Sequence, residues 1–281
     1  MAKIYGPAIL FCPGDRPERF AKAMAAADCA VLDLEDGVAA DATAKDAARE
    51  SVCQFLRDDG TGAIVRINDP AQDRGRTDAE EVRQAGARCI LIGKTETRAQ
   101  IDTAAGNSDA PPDIIITIES ARGVLAMADL LSHPAVAGVS WGPYDLAADM
   151  GMRAVRDDDG QLLPLLRDIR NQMLVHAAAA RVPAYDTVTA ELSDGGRTLE
   201  SDAGEAATLG CVGKFMIHPS QTAQVRRAFQ PSLKEIDHAR RLLDAVPEKG
   251  AFLFEGDMVD APMMRRARHI LALAGRQGVG S

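Results

Sequence analysis

The chain has 281 residues, a hydrophobic content of 46% and a formal net charge of −9, as expected for one sizeable domain with a small appendage. Acidic and basic residues are interspersed apart from a short basic cluster at Arg265, Arg266 and Arg268, so nucleic acid is not an expected partner. The sequence shows no signal-peptide pattern, and it has no apolar stretch of the ~18 residues needed to span a bilayer. We therefore expect a cytoplasmic protein without membrane contact.

Eight short apolar runs recur along the chain, each ending in polar or glycine-rich residues and followed by a stretch with helical spacing. In chain order the runs are 8–13, 30–34, 63–67, 89–92, 114–118, 137–141, 182–185 and 213–217. The stretches Pro17 to Ala27 and Leu165 to Ala180 are typical helices, and Pro17 suits a first helical turn. Eight βα units predict a (β/α)8 TIM barrel over residues 1–230, with an open doubly wound sheet as the alternative.

A C-terminal helical extension is predicted over residues 231–281, where the barrel needs no further elements. A helix begins near Pro231, a glycine-containing link covers Glu248 to Pro262, and a last helix runs from about Met263 to Ala274. These amphipathic helices suit packing against a neighbouring element or subunit. The five cysteines occur singly and mostly in apolar runs, which predicts reduced, packed thiols; they are Cys12, Cys29, Cys53, Cys89 and Cys211.

Charged residues follow seven of the eight predicted strands, at the end of the barrel where active sites lie. The polar residues at these strand ends are Asp33, Glu35, Asp36, Arg66, Asn68, Lys94, Glu96, Glu119, Arg122, Asp145, Asp186 and His218. Exposure to solvent or a salt bridge would explain any one of them. Charges at the mouth of a narrow barrel need partners, because an unpaired buried ion costs several kcal/mol, and a metal ion would supply one.

Glu119 and Asp145 follow consecutive predicted strands, so in a barrel they are neighbours that can each give one oxygen to the same cation. No histidine or cysteine accompanies them in the sequence. Ligation by oxygen alone, with few protein groups, favours Mg2+ over Zn2+ or copper, because Mg2+ keeps water or substrate oxygens as further ligands. A 2-oxo acid could occupy two of those positions, and the metal would then polarise it.

Arg66 is the natural companion of this pair, since a guanidinium can fork onto a carboxylate or stabilise a developing enolate oxygen. A salt bridge to Asp36 or Glu35 is the alternative for Arg66. The backbone N–H groups near Gly123, where a helix opens, could also meet an anion. Two roles are open for His218: a catalytic group, or a residue that holds the turn after strand 8 by hydrogen bonds. The motifs of serine hydrolases, P-loop proteins, dinucleotide-binding enzymes and zinc sites do not occur in the sequence.

At these residues the sequence closely resembles the citrate lyase beta-subunit-like group of the HpcH/HpaI aldolase superfamily, which also contains malyl-CoA and citramalyl-CoA lyases. The resemblance runs nearly end to end, and ordered motifs at matching spacings carry it. They are LFCPGDRPERF (10–20), LDLEDGV (32–38), VRIN (65–68), IESARG (118–123), WGPYDLAADMG (141–151), KFMIHPSQ (214–221) and FEGDMVDAP (254–262).

The resemblance implies that Glu119 and Asp145 bind Mg2+ and that Arg66 contacts the substrate. It also implies that Asp260, in a tail that reaches over a neighbouring subunit, acts there as an acid/base, which requires a homo-oligomer, expected as a trimer or hexamer. We therefore expect Asp260, Arg66 and Asp36 to be catalytic, and Arg66, Glu119, Arg16 and Pro143 to bind substrate. Two features depart from the family pattern: Pro143-Tyr144 replaces a common Ala-Glu, and Gly93 precedes Lys94 where proline is common.

The implied reaction is a reversible aldol-type cleavage of a 3-hydroxyacyl-CoA thioester into an acyl-CoA and a 2-oxo acid. Asp260 would protonate the departing enolate, or deprotonate the acyl group in the reverse direction. Arg16 and Arg19, near strand 1, could meet CoA phosphates, unless they are merely exposed. One alternative is an aldolase for free 2-oxo acids, which typically uses a histidine near strand 2, and none lies near Asp33 to Val38. Another is a non-autonomous subunit of a citrate-lyase-like assembly.

Overall fold

Eight parallel strands form one sheet in the computed structural model, which describes residues 4–59, 62–247 and 251–276. The strands are β1 (Ala8–Pro13), β2 (Cys29–Asp33), β3 (Ile64–Ile67), β4 (Cys89–Ile92), β5 (Asp113–Ile118), β6 (Val136–Trp141), β7 (Tyr185–Asp186) and β8 (Gly213–Met216). Each strand from β1 to β5 pairs with the next, β7 pairs with β8, and β8 pairs with β1.

The two ends of this sheet meet between β6 and β7. Val139 forms a parallel bridge to Ala184, and its N–H donates to the Pro183 carbonyl at 2.9 Å. This contact closes the sheet on itself, so the predicted (β/α)8 barrel is confirmed and the open doubly wound sheet is excluded. The closure is narrow, because β7 comprises only two residues.

The predicted start of the seventh strand was wrong. Residues 182–185 were expected to form it, whereas β7 begins at Tyr185. Val182 belongs to the end of the preceding helix, because its N–H donates to the Ala177 carbonyl at 2.9 Å. Pro183 has no N–H to give to a ladder, so regular pairing starts only after it.

Helices follow the strands around the barrel. They are α1 (Phe20–Ala26), α2 (Ala42–Asp59), α3 (Asp73–Gln84), α4 (Arg98–Ala105), α5 (Ala121–Leu131), α6 (Pro143–Asp149), α7 (Pro164–Ala180), α8 (Arg197–Leu209) and α9 (Thr222–Ala228). Their starts use ordinary capping chemistry: Thr97 and Gln100 form a capping box at α4, and the Ser120 hydroxyl accepts the Gly123 N–H at α5. Pro17 occupies a 3-10 turn, Pro17–Arg19, that leads into α1.

Inward-facing apolar side chains fill the barrel, as alternation along short buried strands requires. The interior cluster comprises Tyr5, Ile9, Cys29, Val31, Ile64, Cys89, Leu91, Ile115, Tyr185 and Phe215. All five cysteines are free and buried, which confirms the expectation of packed thiols. No helix within the described ranges is long and apolar enough to cross a membrane.

The chain divides into two compact units, Met1–Val225 and Arg226–Ser281. The second unit contains α10 (Leu233–Asp244), β9 (Phe252–Phe254), β10 (Asp257–Val259) and α11 (Ala261–Arg276). It has a small core of its own, built on Ala239, Leu242, Val259 and Ala267. The first residues of the predicted link, 248–250, and the C-terminal residues 277–281 lie outside the described ranges.

An antiparallel hairpin occupies most of the segment that was predicted as a plain link. Its strands β9 and β10 pair from Phe252–Val259 to Phe254–Asp257. Glu255 and Gly256 form the two-residue turn with positive φ values of 50° and 96°, which suit the twist of a tight hairpin. Three-residue strands are too short for alternation to reveal, which is why the sequence did not predict them.

Candidate active site

The carboxyl ends of β2 to β5 and the first turn of α6 bring seven of the predicted polar residues into one cluster. Its members are Asp33, Glu35, Asp36, Arg66, Lys94, Glu119 and Asp145. They lie far apart in the sequence, and the barrel assembles them at its mouth because all strands run in the same direction.

Arg66 on β3 is held by Asp33, the last residue of the neighbouring strand β2. Its Nε and Nη2 donate to the two Asp33 carboxylate oxygens at 2.7 and 2.6 Å. Its Nη1 lies 3.2 Å from Glu35 and 3.9 Å from Asp36, and the guanidinium stacks 4.8 Å from the centre of the Phe11 ring. The expected alternatives, Glu35 and Asp36, are therefore secondary partners, and Asp33 is the main one.

Asp33 orients this arginine because its own position is fixed. Its carboxylate is buried and also accepts the backbone N–H groups of Glu35 at 2.9 Å and Gly37 at 2.8 Å. Burial acts to lower the pKa of Arg66, but the hydrogen bonds and charge of Asp33 outweigh it and raise that pKa. Arg66 is thus a permanently charged donor whose orientation is set before any substrate arrives.

Glu35 is a buried carboxylate, and one of its two oxygens lacks a hydrogen bond to the described residues. Its Oε1 lies 3.1 Å from the Lys94 ammonium, whereas its Oε2 is buried without a hydrogen bond among the described residues, since the nearby Arg66 Nη1 is not aligned to make one. Burial is the main cause that raises the pKa of Glu35. A buried oxygen in this state can accept a hydrogen bond from water or from a ligand.

Glu119 directly follows β5 and is only 7% exposed. The Lys94 backbone N–H donates to its Oε1 at 2.8 Å. Burial, followed by the charges of Asp145 and Glu35, raises the pKa of Glu119 to about 7. Glycines surround it closely: a Cβ added at Gly142 would lie 2.8 Å from the Glu119 Cβ, and one at Gly93 would lie 2.9 Å from Glu119 Oε1. Both positions must stay free of a side chain for Glu119 to keep this place.

Asp145 follows β6, as predicted, but it lies in the first turn of α6 rather than at the strand end itself, because Gly142 and Pro143 separate it from β6 and start the helix. Its side chain is 41% exposed and its Oδ1 lies 3.3 Å from the Lys94 ammonium. Pro143, expected to bind substrate, is buried in the N-terminal turn of α6. A carboxylate in the first turn of a helix interacts favourably with the positive end of the helix dipole.

Lys94 was noted at the end of strand 4 but was given no role. Its ammonium lies near Glu35, Asp36 and Asp145, at 3.1, 3.6 and 3.3 Å. Burial acts to lower the pKa of Lys94, but these carboxylates and that of Glu119 outweigh it and raise the pKa. The signal in the sequence was the charge itself, at the end of a buried strand that lies beside β5, which Glu119 follows.

The donor set of the cluster fits magnesium. Glu119 and Asp145 offer carboxylate oxygens from adjacent elements, and the spare Glu35 oxygen can accept from metal-bound water. Within the described ranges, no three or more histidine, cysteine, aspartate or glutamate side chains converge as metal ligands. Two protein carboxylates with water and substrate completing the shell is a common arrangement for Mg2+, whereas structural zinc sites require four protein ligands.

Other predicted residues lie at the edge of the cluster or elsewhere. Asp36 is 61% exposed, and Arg16 is 56% exposed and 3.6 Å from Asp15. Arg19 is likewise exposed, 3.7 Å from Glu18.

Two of the backbone N–H groups at the start of α5, where an anion site was suggested, already have partners within the chain. The Gly123 N–H is already bonded to the Ser120 hydroxyl at 3.1 Å, and the Ala121 N–H is bonded to the Asp149 carboxylate at 2.7 Å. The chain's own side chains therefore satisfy these donors.

His218 and Asp186 hold structure rather than facing the cluster. His218 Nδ1 pairs with the Ser220 hydroxyl at 2.7 Å and caps the 3-10 turn Pro219–Gln221, in line with the structural reading of this histidine. Asp186 is buried between the Trp141 indole N–H at 2.9 Å and the Lys214 ammonium at 2.6 Å.

Asp260, the predicted acid/base, belongs to the second unit. It is exposed, between β10 and α11, and its carbonyl accepts the Met264 N–H at 3.1 Å at the start of that helix. Its predicted catalytic role stays a prediction.

Comparisons with known proteins agree with this architecture. The HpcH/HpaI aldolase/citrate lyase family matches residues 8–219. A citrate lyase subunit beta-like protein of Mycobacterium tuberculosis is 39% identical over 274 residues, which cover 96% of either chain. The mitochondrial citramalyl-CoA lyase of Homo sapiens is 30% identical over 296 residues, which cover 95% of this chain and 85% of that protein.

A crystal structure of the protein CitE from Mycobacterium tuberculosis, in complex with magnesium, acetoacetate and coenzyme A, is similar with a TM-score of 0.86. It is 39% identical, and the match covers 96% of this chain and 98% of that one. The predicted resemblance is thereby confirmed in sequence and in fold. The chain belongs to the HpcH/HpaI aldolase/citrate lyase family.

Proposed function

We propose that this chain is a Mg2+-dependent carbon–carbon lyase that cleaves or forms a 3-hydroxyacyl-CoA thioester, such as citryl-, malyl- or citramalyl-CoA. The products of cleavage would be an acyl-CoA and a 2-oxo acid. The observation that carries the proposal is the meeting of Glu119 and Asp145 beside a fixed Arg66 at the mouth of the barrel. The citramalyl-CoA lyase relative, and the magnesium and coenzyme A in the CitE complex, support the same chemistry.

Glu119 and Asp145 are the residues that would hold the metal. Bound Mg2+ would supply Lewis-acid polarisation of the oxygens on the 2-oxo acid portion of the substrate. Arg66, held by Asp33, presents a charged guanidinium that can bind a substrate carboxylate or stabilise negative charge that develops on an oxygen. Because Asp33 fixes that guanidinium in advance, little reorganisation is required during the reaction.

Proton transfer is assigned to Asp260. In cleavage, the substrate hydroxyl would give its proton to water as the C–C bond breaks, and the Asp260 carboxyl would give a proton to the α-carbon of the departing acyl thioester. Asp260 would then regain a proton from water, so that no net proton is gained or lost. In condensation, the Asp260 carboxylate takes that proton back. Asp36 borders the site near Arg66 and is assigned to the same catalytic group, while Arg16 and Pro143 are assigned to substrate binding.

The second unit would place Asp260 at the site of a neighbouring subunit, in a homotrimer or hexamer in the cytoplasm. Charge supports such an encounter. Residues 226–281 contain ten Lys and Arg against seven Asp and Glu, a formal charge of +3, within a chain whose total is −9. A basic extension is attracted to the acidic barrel of another copy, and this attraction favours docking and its register.

A second candidate is a non-autonomous subunit that needs a separate acyl carrier, favoured by the name of the citrate lyase subunit beta-like relative. An aldolase for free 2-oxo acids is disfavoured, since the cluster of seven residues contains no histidine to serve as its base.

Assays of the purified chain with citryl-, malyl- and citramalyl-CoA, measuring 2-oxo acid released with and without Mg2+, test the proposal. We expect Mg2+-dependent release from at least one thioester. Glu119→Ala and Asp145→Ala should abolish both release and Mg2+ binding, whereas Asp129→Ala, an exposed carboxylate on α5, should alter neither. Turnover only with an added acyl-carrier protein would support the subunit alternative. Tight Mg2+ retention in either ligand variant would overturn the metal assignment.

A further inference from the structure

Lys94 contacts both of the proposed metal ligands through different atoms. Its backbone N–H donates to Glu119 Oε1 at 2.8 Å, and its ammonium lies 3.3 Å from Asp145 Oδ1. The same ammonium donates to Glu35 Oε1 at 3.1 Å. One residue at the end of β4 therefore links three carboxylates that come from three different elements.

The backbone of Lys94 is held in a conformation that side chains seldom adopt. Its φ of 46° lies in the left-handed region, which is uncommon for a residue other than glycine. Neighbouring contacts hold it there: its carbonyl accepts from the Gln100 side chain at 3.3 Å, and the next residue, Thr95, is fully buried and donates to the Thr117 carbonyl at 3.2 Å. The strained turn keeps the amide aimed at Glu119 and the side chain within reach of Asp145.

The charge around Lys94 makes its position significant. Arg66 is engaged by both Asp33 oxygens, so its charge is directed mainly at that residue. The Lys94 ammonium lies instead between Glu35, Asp36 and Asp145. An ammonium that close to a carboxylate oxygen competes with any other cation for the same oxygen, since both are stabilised by the same negative charge.

We propose that the Lys94 ammonium is a built-in counter-ion that neutralises Asp145 while no metal is bound and gives up that carboxylate when Mg2+ binds. Glu35 and Asp36, already 3.1 and 3.6 Å from the ammonium, receive it after displacement. Lys94 is thus a positioning residue that lowers the affinity for Mg2+ and keeps the metal-free site from opening by repulsion between carboxylates. The inference rests on the proposed function, because it takes Glu119 and Asp145 as the Mg2+ ligands.

Two effects of opposite sign distinguish this role from a merely structural one. Replacing Lys94 by methionine removes the competitor, so Mg2+ should bind more tightly. The same replacement leaves several carboxylates in mutual repulsion, so the metal-free protein should unfold at a lower temperature. A residue that only stabilises the loop would lower both the unfolding temperature and the affinity for Mg2+.

The experiment is a calorimetric titration with MgCl2 and a thermal unfolding series in chelator, on the full chain. For Lys94→Met we expect the Kd for Mg2+ to fall about tenfold and the metal-free Tm to fall, and Lys94→Gln should do the same. Lys94→Arg keeps the charge and should bind Mg2+ within about twofold of the original chain. Lys45→Met is the matched control: Lys45 is buried in the same region, and the hydrogen bonds of its ammonium to described residues go to the carbonyls of Leu34 and Glu35, at 2.8 and 2.5 Å, rather than to a carboxylate.

The control should lower Tm without tightening Mg2+ binding. Unchanged or weaker Mg2+ binding in folded Lys94→Met and Lys94→Gln, confirmed by circular dichroism, would overturn the counter-ion role. Failure of the original chain to bind Mg2+ at all would instead overturn the proposed function.

Discussion

Glu119 is a buried carboxylate whose charge the surrounding groups compensate only in part. Its Oε1 accepts one backbone hydrogen bond, from Lys94, while two other carboxylates, of Asp145 and Glu35, act against its ionisation. A divalent cation would remove this penalty, because it stabilises the charged form. The unfavourable charge is therefore a property of the metal-free protein, and it can be measured there.

The pKa of Glu119 is raised by burial from 4.5 to about 7, so the folded state holds this proton more tightly than the unfolded state does. The stability that results is present below pH 4.5 and is lost as the pH rises through about 7. We compare the free energy of unfolding of Glu119→Gln with that of the original chain, both in the presence of a chelator. The difference should shift in favour of the variant by about 2–3 kcal/mol between about pH 4.5 and pH 8, because glutamine keeps the hydrogen-bond acceptor and loses the charge. Urea unfolding at both pH values measures the gain.

Glu205→Gln is a control for which the change in stability with pH should have the opposite sign. The hydrogen bond from Arg170 lowers the pKa of Glu205. The stability that ionised Glu205 adds to the folded state is therefore present above the ordinary pKa of a glutamate and is lost as the pH falls. This variant should therefore lose stability relative to the original chain at the higher pH. A Glu119→Gln effect that is the same at both pH values would show that its charge is already compensated without metal.

Among the elements, β7 is the weak point of the barrel and the side chains at its end compensate for its length. Two residues of strand and one bridge to β6 give few ladder bonds there. Asp186 on β7 accepts from Trp141 on β6 and from Lys214 on β8, at 2.9 and 2.6 Å. Lys214 is fully buried and also donates to the Thr187 carbonyl at 2.5 Å. A buried ion pair thus joins β7 to β8, and the Trp141 hydrogen bond joins the same carboxylate to β6, where backbone pairing is sparse.

Lys214→Met should destabilise the protein by about 3–5 kcal/mol, because it leaves the buried Asp186 carboxylate without its cation. Adding Asp186→Leu to that variant should recover much of the loss, since both charges are then gone. Chemical unfolding of the two variants measures this difference. Arg98→Met, which breaks an exposed pair with Asp129, should cost under about 1 kcal/mol. No recovery in the double variant would mean that packing, rather than charge, dominates at this junction.

The elements that could be predicted from the sequence are those with long or strongly apolar patterns. The eight strands were recognisable because each is a buried run, and α7 because its seventeen residues repeat with helical spacing. The hairpin of β9 and β10 was missed because three-residue strands give no period. Helix α6 was missed because its seven residues follow a strand directly, and this omission displaced Asp145 from its true element.

At the scale of the whole molecule, the barrel fold predicted which residues lie together at the mouth of the barrel. It did not predict which of them form ion pairs with one another. Carboxyl strand ends of a parallel barrel meet at one mouth, and this placed Arg66, Glu119 and Lys94 together from sequence alone. The choice of Asp33 as the partner of Arg66 depends on β2 lying beside β3 in register, with Asp33 opposite Arg66. Register and side-chain direction are long-range properties that single-chain periodicity does not contain.

The assignment of Asp260 requires more than one chain and is tested by mixing inactive variants. Asp260→Ala keeps an intact barrel site, and Glu119→Ala keeps an intact extension, so each should be inactive alone. If the extension of one subunit completes the site of the next, equimolar random mixing should restore about a quarter of the sites. Released 2-oxo acid measures recovery, and native mass spectrometry verifies subunit exchange.

Two controls make the outcome of this mixing decisive. Asp257→Ala, an exposed aspartate on β10 in the same hairpin, should stay active on its own, which separates loss of the Asp260 carboxylate from damage to the extension. A chain that carries both Glu119→Ala and Asp260→Ala, mixed with either single variant, should recover nothing, because no pair then supplies both an intact barrel and an intact extension. Proven exchange without recovery between the single variants would confine each site to one chain, and Asp260 would then have to act, if at all, within its own subunit.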